Sequence, residues 1–271
     1  MKFGPGRDGR RNPLAYPVCV TIGALVVCLA WAPFGDLDQV AALATVAVGI
    51  LGYTGFQLAR ASGLLSNGLA DIGPRRDNRT DTPRGEGNAR PHRDTPHNVG
   101  AHVDASGGSS GTGSSADATR TVEIKRVRQQ YRLVSRSWLE INENYRTRWL
   151  PIFFDPALLA MAETEAEVTD RSADTATLHF YPSGKARSSE PPGRLIDNPT
   201  RPDPDAANLA TDSARVRRRL LLDAQSTVAA PFVALMWVYI AAGGFMAFLA
   251  ATSVAAATAI WLAAIRGSDP S

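Results

Sequence analysis

Histidines, carboxylates and arginines are the residues of this 271-residue chain whose types and spacing could do chemistry. His92, His97 and His102 recur at every fifth position, and clustered imidazoles are typical of transition-metal sites. The three histidines lie in a tract that contains no cysteine, whereas a metal site needs ligands held in a fixed geometry. We therefore favour a chance spacing in a biased tract over a metal site.

Catalytic motifs give no further lead. The sequence has no Walker-type phosphate loop, no dinucleotide fingerprint after a strand, no H-E-x-x-H and no C-x-x-C. Glu163 and Glu165 lie in a polar loop without a catalytic partner, and we interpret His179, on a predicted strand, as structural. These observations predict a protein that is not an enzyme and has no cofactor and no metal.

A cluster of arginines directly precedes a long apolar stretch at residues 224–265. Arginines next to a membrane span bind anionic headgroups, and each contributes about 1 kcal/mol. We predict a lipid anchor made of Arg215, Arg217, Arg218 and Arg219.

The apolar residues are concentrated in two blocks, at residues 14–60 and 224–265, although only 44% of the whole chain is hydrophobic. The first block contains two uncharged runs, and each is long enough to cross a hydrocarbon core of about 30 Å as a helix. The second block is too long for one span, so we predict a break at Gly243-Gly244. Two crossings and a re-entrant dip both fit this block.

A glycine strip lies along the second apolar run. Gly49, Gly52 and Gly55 recur at every third position, and small residues let helices approach closely in a membrane. We interpret this strip as the face on which the two spans of the first hairpin pack against each other. A functional role for the strip is the alternative.

The placement of basic residues predicts the orientation. Arginines and lysines precede the first span, follow the second, precede the third and follow the fourth, whereas the first turn carries only Asp36 and Asp38. Because positive residues stay in the cytoplasm, we predict a multi-pass plasma-membrane protein with both termini and the middle segment in the cytoplasm. Cys19 and Cys28 lie in the same span and cannot pair within one helix, which suits a reducing compartment.

The segment between the blocks is predicted in three parts. Residues 61–120 form a disordered linker, because residues 71–120 contain no Phe, Trp or Tyr. Residues 121–198 form a small α+β module, and residues 199–223 form a proline-rich strap followed by a basic juxtamembrane helix. Residues 1–13 and 266–271 are the cytoplasmic N-terminus and tail. The fold class is thus membrane α-helical, with two hairpins (four spans) flanking the linker and the module.

The module begins, in this interpretation, with a helix of about 25 residues. Apolar side chains recur at alternating spacings of four and three, which is typical of one face of a helix. Thr121 to Lys125 also alternates as a strand would. The stripe consists of Val127, Tyr131, Val134, Trp138, Ile141 and Tyr145. The predicted core of the whole module consists of Trp138, Trp149, Phe153, Phe154, Leu178, Phe180 and Leu195.

Four sequence runs resemble a known group of proteins. They are Trp149-Leu-Pro-Ile-Phe-Phe-Asp-Pro, Phe180-Tyr-Pro-Ser-Gly-Lys, Glu190-Pro-Pro-Gly-Arg-Leu-Ile-Asp-Asn-Pro and Arg219-Leu-Leu-Leu-Asp-Ala-Gln. From Val122 to the C-terminus the chain resembles the uncharacterised multi-pass membrane proteins of mycobacteria and related actinobacteria. The resemblance implies residence in the plasma membrane and no particular activity.

Two functions remain at this point. The first is a membrane-anchored interaction or scaffold module, in which the ordered cytoplasmic part binds a protein partner or a second copy of the chain. The second is an accessory subunit of a membrane transport or export complex, in which the spans pack against a larger protein. Binding of nucleic acid by the basic residues of the module is the least favoured function, because no recognised motif accompanies the charge.

Overall fold

The computed structural model describes residues 12–69, 119–143, 146–199, 201 and 203–271. Two parts stand out in it: four long apolar helical segments and a separate antiparallel sheet. The helical segments long and apolar enough to cross a membrane are Ala15–Phe34, Leu37–Ala61, Val216–Ala241 and Phe245–Ile265. The predicted number and positions of the apolar helices are therefore confirmed.

The first pair of helices is joined by a short turn. Helix α1 (Ala15–Trp31) continues into one 3-10 turn, and α2 (Leu37–Ala61) follows. Asp36 ends the turn as the N-cap of α2, since its side chain accepts a hydrogen bond of 2.8 Å from the Gln39 amide. The acidic residues of this turn thus start the second helix.

The second pair breaks where the glycine pair predicts. Helices α5 (Ala230–Ala241) and α6 (Phe245–Ile265) pack against each other and are separated by Ala242, which has a left-handed φ of 50° and precedes Gly243-Gly244. Two short helices, α3 (Ala206–Ser213) and α4 (Val216–Asp223), lead into α5 through a 3-10 segment. The predicted juxtamembrane helix is therefore present, but it is broken between Ser213 and Val216.

A seven-stranded sheet forms the module. The strands are β1 (Arg120–Tyr131), β2 (Val134–Glu143), β3 (Arg146–Ile152), β4 (Thr164–Val168), β5 (Ala173–Asp174), β6 (His179–Phe180) and β7 (Arg194–Asp197). Their order in the sheet is β3-β2-β1-β4-β5-β6, and β7 pairs with the second half of β1, beyond β4. All these pairings are antiparallel.

The helix predicted from Val122 onward is wrong. Four residues of the apolar stripe belong to a hairpin that turns at Arg132 and Leu133 and face each other in pairs: Val127 opposes Trp138, and Tyr131 opposes Val134. Residues placed symmetrically about a turn imitate a helical repeat of three and four. The alternation near Val122 was the correct signal, because side chains alternate between the two faces of a strand.

The core of the module lies on one face of this sheet. It is formed by the buried side chains of the long strands and by the 3-10 helix Pro156–Ala160, with Ala206 of α3 at its margin. Five of the predicted core residues are buried: Trp138, Phe153, Phe154, Leu178 and Phe180. Trp149 is half-buried, and the prediction for Leu195 is wrong because its side chain is 48% exposed.

Part of the predicted disordered linker and the predicted C-terminal tail belong to the fold. Residues 62–69 of the predicted linker pack onto the module, where Asn67 donates its amide to Asp170 and Leu69 enters the core. Residues 70–118 of that linker, with its three histidines, lie outside the described residues, as does Tyr145. The predicted tail 266–271 inserts against the sheet, and Gly267 (φ 78°) allows this because a Cβ there would meet the Ile152 carbonyl oxygen at 2.9 Å.

Candidate functional site

A cavity of about 820 Å³ lies where the sheet meets the ends of the helices. Its lining comes from the last turns of α2, the tip of the β1–β2 hairpin and the loop 183–187 after β6. Pro151 of β3, Pro192, Ser226 at the entry to α5 and Arg266 directly after α6 complete the lining. The cavity thus collects residues from seven separate segments of the chain.

Basic side chains dominate this cavity, and none of the lining residues that the structure describes is acidic. Its six basic residues form no ion pair with any carboxylate in the described part of the chain. We call it the basic cavity, defined by Arg60, Arg132, Arg136, Lys185, Arg187 and Arg266. Uncompensated positive charge of this density is typical of a site that attracts anions.

Arg60 is the most buried of the six, with 9% of its surface exposed. It lies in the last turn of α2, its guanidinium carbon is 4.5 Å from the ring centroid of Phe56, and it donates one hydrogen bond of 3.3 Å to Gln57. Its Nε has no hydrogen-bond partner among the described residues. The protein therefore leaves part of the hydrogen-bonding capacity of Arg60 unused.

The loop that carries Lys185 and Arg187 is held on both sides. Gln57 of α2 donates a hydrogen bond of 3.1 Å to the carbonyl oxygen of Ser183. The Ser183 amide donates to Pro151, and Arg187 exchanges two backbone hydrogen bonds of 2.9 Å with Trp149. The backbone that carries both cations is thus fixed relative to the sheet and to α2.

Arg136, close to the start of β2, is half-buried in the lining of the basic cavity. Burial lowers the pKa of Arg136, and the charges of Arg266 and Arg187 lower it further. The charges of Arg266 and Arg187 therefore disfavour the charge on Arg136, and an anion bound among the three would offset this repulsion.

Next to the basic cavity, a buried ion pair joins the C-terminal residues to the sheet. Arg126 of β1, 1% exposed, contacts Asp269 at 2.8 Å. Ser137 and Ser271 also donate hydrogen bonds to this carboxylate. Burial alone would raise the pKa of Asp269, but Arg126 and the two hydroxyl donors outweigh it, so this pKa lies below its usual value. Asp269 is therefore a buried carboxylate that stays charged.

A second buried polar group joins α1 to α4 and to the C-terminal residues. The Tyr16 hydroxyl donates a hydrogen bond of 2.6 Å to Asp223, and the Ser268 hydroxyl donates one of 3.1 Å to the same oxygen. Arg219 lies over the Tyr16 ring at 4.1 Å from its centroid and is also 5.6 Å from that of Phe154 in the sheet module. Together with the Arg126–Asp269 pair, these contacts fix the module on the helix ends.

The predicted lipid anchor divides in two. Arg215, Arg217 and Arg218 are exposed, and Arg215 pairs with Asp212 at 3.2 Å. Arg219 is buried against aromatic rings, so its assignment to the anchor is wrong. Because α4 turns once every 3.6 residues, Arg219 lies about 200° around the helix from Arg217 and so falls on the opposite face from that arginine.

The glycine strip faces away from the rest of the molecule. A Cβ at Gly49, Gly52 or Gly55 would meet no atom within 4 Å, whereas the inward face of α2 carries Ile50 and Thr54. The predicted packing of the two spans through these glycines is therefore wrong. The face of α2 that packs on other helices is the opposite one. There the Trp261 indole of α6 donates a hydrogen bond of 3.0 Å to the Thr54 hydroxyl.

The remaining candidates give no catalytic geometry. His179 is exposed, contacts the Asp174 carboxylate and packs edge-on against Tyr181. Cys19 and Cys28 are free. No group of three potential metal ligands occurs in the ranges that the structure covers.

An apolar groove of about 800 Å³ runs along the helices, from the Gly243-Gly244 turn to Leu262 near the end of α6. Trp31, Phe34, Trp237 and Phe245 line it, and Gln39 and Thr258 are the only lining residues with an amide or hydroxyl side chain among those described. The groove offers apolar contact and no charged group, so it lacks the features of a catalytic centre.

Sequence reasoning missed the basic cavity because its cations are up to about 200 positions apart in the chain. The sequence showed only an excess of arginine close to the ends of the predicted spans, and this excess was used to predict the orientation of the chain in the membrane. No protein-family model, no curated protein and no solved structure matches the chain. The resemblance to actinobacterial membrane proteins therefore stays a prediction.

Proposed function

We propose that the chain is a multi-pass plasma-membrane protein whose sheet module lies in the cytoplasm and binds a protein partner without catalysing a reaction. The observation that carries this proposal is the fixed junction between module and helices, made by buried Asp223 and Asp269. A module fixed in this way holds one orientation relative to the apolar helices. Such rigidity suits a binding platform at a membrane surface.

The junction also supports the proposed membrane placement. Tyr16 at the start of α1, Gln57 near the end of α2 and Ser268 beyond α6 all lie at the end of the helices that meets the module. Among the described arginines, Arg60, Arg219 and Arg266 lie at this end as well, and the two short turns lie at the other. The positive-inside rule then assigns the module to the cytoplasm.

Cysteine labelling tests this placement. In a chain with Cys19 and Cys28 replaced by alanine, we expect a cysteine at exposed Ser188 to be protected from a membrane-impermeant maleimide in intact cells. A cysteine at exposed Asp38, in the first turn of α2, should be labelled in the same cells, and both should react after permeabilisation. Labelling of Ser188 in intact cells would place the module outside and overturn the proposed sidedness.

Strand β7 is the surface that best suits a protein partner. It pairs with β1 on one side, and no strand in the described ranges pairs with its other edge. Leu195 and Ile196 are 48% and 41% exposed on this short strand. An open edge with apolar side chains can accept an added strand, with backbone hydrogen bonds giving affinity and side chains giving specificity.

Site-specific photo-crosslinking in cells tests the binding surface. We expect p-benzoylphenylalanine at Ile196 to give an adduct of defined mass, because a partner strand on β7 would lie within reach of this side chain. The matched control is the same group at Glu165, an exposed position on β4. Adducts of equal yield at both positions would indicate unspecific collision and contradict the proposal.

The accessory-subunit function remains the second candidate, because the glycine strip of α2 is free to receive another helix. The same photoreactive group at Val48, which directly precedes Gly49 and is 68% exposed, tests this surface. Ile22, exposed on α1, serves as the control. Adducts from Val48 and none from Ile196 would favour the second function over the first.

A further inference from the structure

We propose that the basic cavity binds the phosphate-bearing headgroup of an anionic membrane lipid. The cavity has the size of a small-molecule site, since such sites measure about 300–1,000 Å³. Guanidinium groups suit this ligand because their planar donors match the oxygens of a phosphate. The inference concerns a different surface from the proposed protein-binding strand β7 and holds or fails independently of it.

The first argument is the balance of charge. Six cations line the cavity without a carboxylate among the lining residues that the structure describes. Surface cations are ordinarily dispersed in water, but Arg60 is nine-tenths buried and Arg136 is half-buried. Positive charges brought together in a partly dry site repel one another. A bound phosphate turns this repulsion into attraction.

The second argument is position, which selects a lipid over a free phosphate. Arg60 lies in the last turn of α2, and Arg266 follows the final residue of α6. If these helices cross the hydrocarbon core, the two arginines stand at the level of the lipid headgroups. A phosphate at this level is supplied by the bilayer itself.

The third argument is the tip of the β1–β2 hairpin, which forms one wall. Tyr131 and Leu133 are 52% and 50% exposed there and flank Arg132, whose guanidinium carbon is 5.3 Å from the centre of the Tyr131 ring. Exposed aromatic and apolar side chains beside an arginine are typical of surfaces that enter the headgroup layer. The wall thus offers apolar contact for the lipid and a cation for its phosphate.

Native mass spectrometry of the full chain, purified in a neutral detergent and delipidated, tests this proposal. We expect phosphatidylglycerol to bind at least about tenfold more tightly than zwitterionic phosphatidylcholine. Arg136→Gln should weaken the binding of phosphatidylglycerol by about tenfold, because it removes a half-buried charged donor beside Arg187 and Arg266. Arg187→Gln, at an exposed position with little risk to folding, should weaken it by about threefold or more.

The control variant is Arg146→Gln, which changes an exposed arginine of β3 that lies outside both the cavity and the predicted anchor. It should leave the affinity for phosphatidylglycerol within about twofold of wild type. An equal loss in Arg146→Gln and in Arg187→Gln would overturn the site, because general attraction to the basic surface would then explain the binding. Tighter binding of pyrophosphate than of phosphatidylglycerol to the lipid-free protein would overturn the assignment to a lipid.

Discussion

Replacing Asp269 with alanine is expected to lower the free energy of unfolding by about 3–5 kcal/mol. The carboxylate is fully buried, contacts Arg126 at 2.8 Å and accepts hydrogen bonds from Ser137 and Ser271. Without it, Arg126 keeps its charge at 1% exposure and loses its closest anion. The large effect arises from this uncompensated charge, since an intact buried pair itself contributes little net stability.

Asp197→Ala is the matched control, because Asp197 lies 3.5 Å from the same guanidinium but is 44% exposed. Its removal should lower the free energy of unfolding by less than about 1 kcal/mol. Chemical unfolding in detergent micelles, followed through the fluorescence of buried Trp138, measures both variants. Equal losses in the two variants would contradict a special role for the buried carboxylate.

The same residue predicts a dependence on pH. The pKa of Asp269 is lower in the folded protein than in the unfolded chain. Its contribution to stability is therefore fully present above the unfolded pKa of about 3.9 and is lost as the pH falls through the folded pKa. Asp269→Asn should lack this contribution to acid destabilisation, which unfolding curves at about pH 6 and about pH 3 would reveal.

The helices were predictable because their signal is local. A run of uncharged residues has the length of a bilayer wherever the rest of the chain lies, and Gly243-Gly244 breaks a helix without help from tertiary contacts. The face on which a helix packs could not be predicted from the local sequence. Gly49, Gly52 and Gly55 allowed close approach on one side of α2, but the inward side is set by Thr54, which meets Trp261 from a distant part of the chain.

The module was less predictable for a related reason. Val127 and Trp138 mark opposite strands of one hairpin, and no local rule distinguishes their spacing from a helical stripe until the turn at Arg132 is known. The buried pair of Arg126 and Asp269 spans 143 positions. Pairings at such separations depend on how the chain returns to the sheet, so the candidate site could be derived only from the structure.

Removing the Asp223 carboxylate is the second change for which we expect a large effect. Asp223 accepts hydrogen bonds from the Tyr16 and Ser268 hydroxyls, all three side chains being buried, so Asp223→Ala leaves two donors without their acceptor. Each unsatisfied buried donor costs about 1–3 kcal/mol. We therefore expect the free energy of unfolding to fall by about 2–4 kcal/mol.

A double-mutant cycle distinguishes this junction from a general effect on α4. Tyr16→Phe removes one donor and should lower the free energy of unfolding by about 1–2 kcal/mol, and the double variant should lose less than the sum of the two single changes. Asp212→Ala, which breaks the exposed pair with Arg215, should have almost no effect. Strictly additive losses would mean that Tyr16 and Asp223 act separately. Coupling of at least about 0.5 kcal/mol would show that this hydrogen bond ties α1 to the end of the helices on which the module is fixed.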